Sequence, residues 1–412
     1  METNMTNHSD KRADAVIAID IGTTNIEAIL YSTDRSVIDY RSERNEQRRF
    51  GSDVAARICA AASGHADEMR VCILSQLCGL ITGFIIRHPE REISRIMIAG
   101  NTTMLHILLG YDCSGLGMYP FKTVSLAEYQ TTTHGLISDF CDIQGDACDL
   151  SLRSGLSDNL GPKVLPDHPD VQDSQDHSDI PDIPDISGPP VISDFPDIPV
   201  TILPGLSAYI GADIYAGAVA CGFANSNAVN MLIDLGTNAE MILGNKDQVL
   251  TASAAAGPAF ESGRIFKGTE GIEMMHRLLE LGVIDRTGLM KDEYFEQPAQ
   301  KNIRKLQLAK AAIRAAITVL MKKYEEYGSY TIDKIFISGN FGNNINEKAC
   351  IAVGMLPESF AGRIVSAGNT VLEGCVLYHL DPSARPSPEK FEEVILANEP
   401  DFNELLMGSI DL

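Results

Sequence analysis

Two stretches of this chain repeat one another: VIAIDIGTTNIEAILY, Val16 to Tyr31, and NMLIDLGTNAEMILGN, Asn230 to Asn245. Each is an apolar run, an Asp, an apolar residue, Gly, Thr, then Thr or Asn, and a second apolar run. A second pair joins IMIAGNTT, Ile96 to Thr103, to IFISGNFG, Ile335 to Gly342. A further echo, VSAGNT, runs from Val365 to Thr370. Repeats in this order constrain architecture more than any single segment does. They imply a duplicated α/β unit, each half contributing one strand–turn–strand and one strand–turn–helix.

The turn between the paired apolar runs is chemically specific. Gly lets the backbone approach a ligand that a side chain would keep out. Successive turn N–H groups can then face phosphate oxygens, and Thr and Asn side chains add donors. An Asp at the end of the preceding strand can hold hydrated Mg2+, which takes few carboxylates and keeps several waters. Two such hairpins facing across a cleft would grip a nucleoside triphosphate from both sides. The candidates are Asp20, Gly22, Thr23 and Thr24 in the first copy, and Asp234, Gly236, Thr237 and Asn238 in the second. One copy alone reads as a hairpin turn with a capping Asp. Two copies in register, each after an apolar strand, favour the phosphate reading.

Between Asp139 and Asp197 the composition changes sharply. There are 14 Asp and no Glu, opposed only by Arg153 and Lys163. The Pro-Asp spacing (PDHPD, DIPDIPDI) suits neither a helix nor a central strand. The expected organisation is therefore a disordered tail over 1–13, a first unit over 14–138, an exposed and partly disordered insertion over 139–199, and a second unit over 200–412 with a C-terminal tail returning to the body. In the second unit Leu306, Ala309, Ile313, Ala316, Ile317, Leu320 and Tyr324 lie on one stripe at helical spacing. Lys310 and Arg314 share another face of that helix and read as solvated cations. His106, on an apolar helix stripe, reads as a core histidine.

With these motifs in place, the sequence resembles the superfamily of actin, heat-shock chaperone ATPases and sugar kinases (ASKHA). Asp20-Ile21-Gly22-Thr23-Thr24 is similar to its first phosphate motif and Asp234-Leu235-Gly236-Thr237-Asn238 to its second. Ser338-Gly339-Asn340-Phe341-Gly342 resembles its adenosine motif. Within the superfamily the chain looks most like the ATP-dependent reductive activators of corrinoid proteins. That likeness is carried by Gln47 to Asp53, Gly100 to Met104, Ala255 to Glu261, Leu306 to Arg314 and Pro400 to Glu404. The resemblance implies duplicated ribonuclease-H-like (actin-like ATPase) halves with mixed sheets and a nucleotide cleft between them. It implies ATP and Mg2+ as ligands, Asp20 and Asp234 as metal and water-positioning residues, and Gly339, Asn340 and Gly342 beside the adenosine. Glu261, after a Gly-Pro turn, is a candidate to orient the attacking water; a surface carboxylate is the equal reading. The implied partners are a corrinoid protein and a separate electron donor.

The chain departs from that family in two places. Such activators usually carry an iron–sulfur module, either a ferredoxin domain before the ATPase unit or cysteine clusters after it; neither is expected from Met1 to Asp14 or from the scattered cysteines, and the segment after Gly263 is short. Electrons are therefore expected from a separate iron–sulfur protein.

Charge and cysteine usage bound the alternatives. Lys and Arg number 33 against 56 Asp and Glu, a formal charge of −23. That argues against a nucleic-acid surface or an anionic membrane as partner. Nine scattered cysteines without a C-x-x-C pair fit a reducing, cytoplasmic setting. A homodimer is compatible with the sequence. The functions to separate are an ATPase acting on a corrinoid protein and a nucleotide-dependent binding switch with little or no turnover. A small-molecule kinase is disfavoured, since no further Asp suits an acceptor hydroxyl. The purified chain is expected to be colourless and iron-free, because cluster thiolates come in groups of four. Stoichiometric iron in elemental analysis, with a visible charge-transfer band, would overturn that expectation.

Overall fold

The computed structural model describes residues 13–137, 196–236, 238–256, 269–339 and 345–412. The expected tail, except Ala13, and the expected insertion as far as Phe195 lie outside the described residues.

The first unit starts with three antiparallel strands, β1 (Ala13–Ile21), β2 (Asn25–Ser32) and β3 (Val37–Arg44). Two helices follow, α1 (Val54–Ala60) and α2 (Ala66–Arg87), and then β4 (Arg91–Gly100) and α3 (Thr102–Leu109). After β5 (Tyr129–Thr132), the strand β6 (Pro199–Ile202) leads into α4 (Ala212–Ala220). The second unit repeats this order: β7 (Val229–Leu235), β8 (Ala239–Gly244), β9 (Val249–Ala254), α5 (Thr269–Glu280), α6 (Gln297–Tyr324), β10 (Ile332–Ser338), α7 (Glu347–Ala352), β11 (Ile364–Gly368) and α8 (Thr370–Leu380). A short strand, β12 (Phe391–Glu393), and α9 (Phe402–Gly408) complete it.

The strand orders are β3-β2-β1-β4-β6-β5 and β11-β10-β7-β8-β9-β12. Read from the third strand of each unit, β3-β2-β1-β4-β6 and β9-β8-β7-β10-β11 are the same arrangement. The antiparallel and parallel pairings match as well. The fold is thus the expected duplicated, actin-like α/β fold with two mixed sheets. The first sheet takes its strand β6 from Pro199–Ile202, across the boundary expected at residue 199. The physical reason is local. Ile198 and Val200 are buried, and Thr133 Oγ1 accepts from Ile198 N and donates to Pro196 O, which ties this segment to the first sheet.

The stripe foreseen on α6 is buried from Ile303 to Tyr324 in the second core. Lys310, expected in solvent, is buried instead, and its Nζ donates to the Asp411 carbonyl. The C-terminal residues run back over α6, where Gln307 Nε2 also donates to Ile410 O. His106 is the core histidine expected: Nδ1–H donates to Thr102 O and Nε2 accepts from Val124 N. The stretch Val54–Arg87, kinked at Gly64 (φ 98°), is long and apolar enough to cross a membrane, yet half of its most apolar window is buried inside the fold. Its Met69, Ile73, Leu77, Leu80 and Phe84 belong to the first core, and Arg57 and Arg70 are buried beside them.

The helices α4 and α8, which follow equivalent strands, cross each other between the two sheets. Ala212, Tyr215, Ala216 and Val219 of α4 join the first core, while Ile214 and Ala218 join a cluster with Leu232 and Ile242 of the second sheet. These alternating three- and four-residue steps give α4 two apolar faces, one for each sheet. Val371, Leu372, Cys375 and Val376 of α8 likewise pack into the first core. At the crossing, a methyl group on Gly374 would lie well inside contact distance of the Ala216 backbone. Gly374→Ala should therefore cost about 1–3 kcal/mol of stability in urea denaturation. Gly79→Ala, mid-helix with open space around it, should instead gain about 0.5–1 kcal/mol.

Candidate functional site

In each unit the first and fourth strands pair in parallel and set the same local geometry. Asp20 lies opposite Ala99 and Ile21 opposite Gly100; Asp234 lies opposite Ser338. A Cβ on Gly100 would come 2.7 Å from Ile21 O, and one on Gly339 would come 2.7 Å from Leu235 O. Gly339 also has a positive φ of 83°. Both glycines are thus required by close backbone approach to the residue after the motif Asp, and this explains the second sequence echo. Ser338 adds a hydroxyl that donates to Asp234 Oδ2 at 2.6 Å.

The second strand of each hairpin brings a Glu to the Asp. Asp20 is the cross-strand partner of Glu27, and Asp234 of Glu240. Directly opposed carboxylates repel, and their side chains share one face of the sheet. A fifth acid, Asp213, stands in the first turn of α4. Burial pushes the Asp20 carboxyl well above the usual range, and Glu27, Asp213 and Asp234 push it further. Burial also raises Glu240, with Asp213 and Asp234 adding to it, and raises Asp234, which its bond from Ser338 partly offsets. Asp213 is pushed up to about 7, by burial first and then by Asp234. Among the described residues, the charged groups acting on these four acids are all carboxylates. The two motif aspartates, far apart in sequence, thus share one electrostatic site at the meeting of the sheets.

Two Gly-Asn-Thr turns complete the site. Asn101 caps α3, its Oδ1 accepting from Met104 N, while its Nδ2 donates to Thr23 Oγ1 at 3.0 Å. Asn369 caps α8, accepting from Val371 N and Leu372 N, while its Nδ2 donates to Glu27 Oε2 at 2.7 Å. Each Asn therefore holds a helix N-terminus and reaches into the first hairpin.

The structure brings together Asp20, Gly22, Thr23, Thr24, Asp234, Gly236, Asn238 and Gly339 at the ends of their strands. Thr237, Glu261, Asn340 and Gly342 lie outside the described residues. Sequence reasoning missed Glu27, Glu240, Asp213, Ser338 and Asn369. Glu27 and Glu240 stand seven and six residues after their Asp, so the repeat does not align them and only the hairpin register makes them equivalent. The two turns differ in one respect: a Cβ on Gly22 would sit 2.7 Å from Asn25 O, whereas one on Gly236 meets nothing closer than 3.8 Å.

A cluster of desolvated acids without cations suits a divalent ion. Among the described residues no group of three metal-ligating side chains converges on one point. Mg2+ here would be held chiefly through its own waters and through oxygens of a bound ligand, which is how that ion usually binds.

Two family models match the chain in tandem. The first is described as the RACo middle region, over residues 15–140. The second is the C-terminal domain of RACo, the ASKHA domain, over residues 228–275 and 297–412. The chain belongs to this RACo-type ASKHA family. It is similar to the corrinoid activation enzyme RamQ of Eubacterium limosum, 26% identical over 95% of this chain and 69% of that protein. A shorter match, 31% identical over 26% of this chain and 21% of the relative, is to a [Co(II) methylated amine-specific corrinoid protein] reductase of Methanosarcina barkeri. Among solved structures, a reductive activator for corrinoid,iron-sulfur protein superposes with a TM-score of 0.73 at 22% identity, over 98% of this chain and 66% of that one. This chain thus spans about two thirds of the length of its two longest matches.

Two measurements test the site. Folding Asp213 lifts its pKa from 3.8 to about 7, so between those values the folded chain holds more protons than the unfolded one. The contribution of Asp213 to the stability of the ligand-free chain should then fall as pH rises from about 4 to 7. The melting temperature followed over that range should show this slope, and Asp213→Asn should flatten it. Separately, Gly236→Ala should keep the wild-type melting temperature, whereas Gly22→Ala should lower it by several degrees, about 1–3 kcal/mol of strain.

Proposed function

We propose that this protein is a cytoplasmic Mg·ATP-dependent reductive activator of a corrinoid protein. The observation that carries the reading is the mirrored site: two Gly turns, each behind a strand-end Asp with a Glu across from it, meeting where only carboxylates act on one another. Such a site favours a ligand that brings its own cation. Thr23, Thr24 and Asn238 would donate to phosphate oxygens. Asp20 and Asp234, with Asp213 beside them, would hold hydrated Mg2+, which when bound neutralises charge on the phosphates.

Hydrolysis would then be a matter of positioning and charge. Water attacks the γ-phosphorus, the bond to the bridging oxygen breaks, and ADP and phosphate leave. Asp213, in the first turn of α4 beside the motif aspartates, would be placed to take the water's proton. Binding a ligand to both turns favours the arrangement that holds them together, and the α4–α8 crossing carries that preference between the units. The names of the relatives support a corrinoid protein as the target. Its cobalt would pass from Co(II) to Co(I) by one electron from a separate iron–sulfur protein, with ATP binding making the reduction accessible and hydrolysis resetting the complex.

The test is phosphate release by the purified chain, alone and with candidate corrinoid proteins, alongside the visible spectrum of the cobalt in the presence of a reductant. Turnover stimulated by one corrinoid protein, with ATP-dependent appearance of Co(I), is expected. Asp234→Asn should lower turnover by on the order of a hundredfold without loss of melting temperature. Tight ATP binding with no turnover under any condition would instead favour a binding switch.

A further inference from the structure

The back of the first turn is held by an unusually complete set of bonds. Three consecutive carbonyls point the same way, into the protein. Gly22 O accepts from Asn45 Nδ2 at 2.9 Å, Thr23 O from Arg57 Nη2 at 2.6 Å, and Thr24 O from Asn45 N at 2.9 Å. Asn45 and Arg57 are both 0% exposed. In a planar trans peptide the N–H lies opposite the C=O. Pinning these three carbonyls inward therefore turns the N–H groups of Thr23, Thr24 and Asn25 outward, the orientation a phosphate cradle requires.

Arg57 contributes more than a hydrogen bond. Its Nε donates to Gly51 O at 3.1 Å and its Nη1 contacts Met104 Sδ at 2.9 Å. Its bonds thus go to two carbonyls and a thioether, and among the described residues no ion pair ties it to a carboxylate. The nearby Asp53 caps α1 through the Ala56 N–H, and its charge favours the protonated guanidinium without contacting it. Burial lowers the guanidinium only to about 10, so it stays charged at neutral pH. A buried cation without a partner is costly, and such groups persist where an opposite charge compensates them.

We propose that Arg57 is a positioning residue of the nucleotide site: it fixes the Gly22–Thr24 turn from behind, and its unpaired charge is completed by the phosphates of the bound nucleotide. This rests on the nucleotide reading above. It also accounts for two stretches singled out in the sequence, Gln47 to Asp53 and Gly100 to Met104, which supply Gly51 and Met104 around the guanidinium.

The experiment is calorimetric titration of Mg·ATP, Mg·ADP and AMP into the wild type, Arg57→Met and Arg57→Lys, with melting temperatures alongside. Arg57→Met should weaken ATP on the order of tenfold or more, ADP less, and AMP least. Arg57→Lys, which keeps the charge but not the fork, should recover part of the ATP affinity. A residue that merely braces the fold would lower all three affinities together, and that result overturns the proposal. If Arg57→Met does not fold, Arg57→Lys decides: equal losses for ATP and AMP overturn the proposal, and a preserved ATP preference supports it. A wild type that binds no ATP removes the nucleotide reading itself, which is distinct from a wild type that binds and an Arg57→Met that binds equally well.

Discussion

A glycine at the end of the fourth strand of each unit packs its Cα against the carbonyl of the residue after the motif Asp. Gly100 does so against Ile21, and Gly339 against Leu235, each with room for a hydrogen but not a methyl group. This contact lets the parallel first and fourth strands end side by side, so that the Asp of one strand and the turn that follows are displayed together. Most of the remaining site follows from it. The hairpin brings back a Glu, the turn after the fourth strand caps a helix with Asn, and the helix after the fifth strand packs between the sheets. The duplication repeats a geometry as well as a pattern, because both copies satisfy the same close approach.

Bringing the two copies together has an electrostatic consequence that neither copy has alone. Within one hairpin the Asp and Glu repel, but each could remain solvated. Where the sheets meet, Asp20, Asp213, Asp234 and Glu240 lose water and raise one another's affinity for protons. The ligand-free protein therefore holds a group of acids more comfortable protonated or beside a cation than bare. Such tension is common at sites where a charged ligand completes the structure, since binding then gains what folding gave up.

Much of this could be read from the sequence because it depends on short-range rules. Apolar runs marked the strands, the D-x-G-T repeat marked the two turns, and the 3.6-residue stripe marked α6. His106 was legible for the same reason. What escaped the sequence was set by packing between distant segments. Lys310 looked solvated because the sequence does not show that Asp411 returns to lie over it. Asp213 looked like any acid in a helix start until α4 was found wedged between the sheets. Pro199 looked like the end of the insertion and Val200 to Ile202 like the start of the second unit, yet together they are a strand of the first sheet, because their partner β4 lies about a hundred residues earlier in the chain. Glu27 and Glu240 escaped because they stand seven and six residues after their Asp, and only the hairpin register brings each one opposite it.

The link between the charge of the site and the arrangement of the two units runs through Asn369. Its Oδ1 caps α8, the helix that leaves the second sheet and packs into the first core, while its Nδ2 bonds Glu27 in the first hairpin. The same side chain also favours the charged form of Asp20. A change of charge at the Asp20–Glu27 pair is therefore felt at the first turn of the helix on which the two units meet. A ligand can shift the arrangement of the units only as far as it binds one arrangement better than another. A cation–phosphate ligand meets that condition here, because the repulsion it relieves is largest when the carboxylates of the two sheets lie closest. Under the proposed function, the acids that make the empty site uncomfortable would thus be the ones that give a bound ligand its leverage on the α4–α8 crossing.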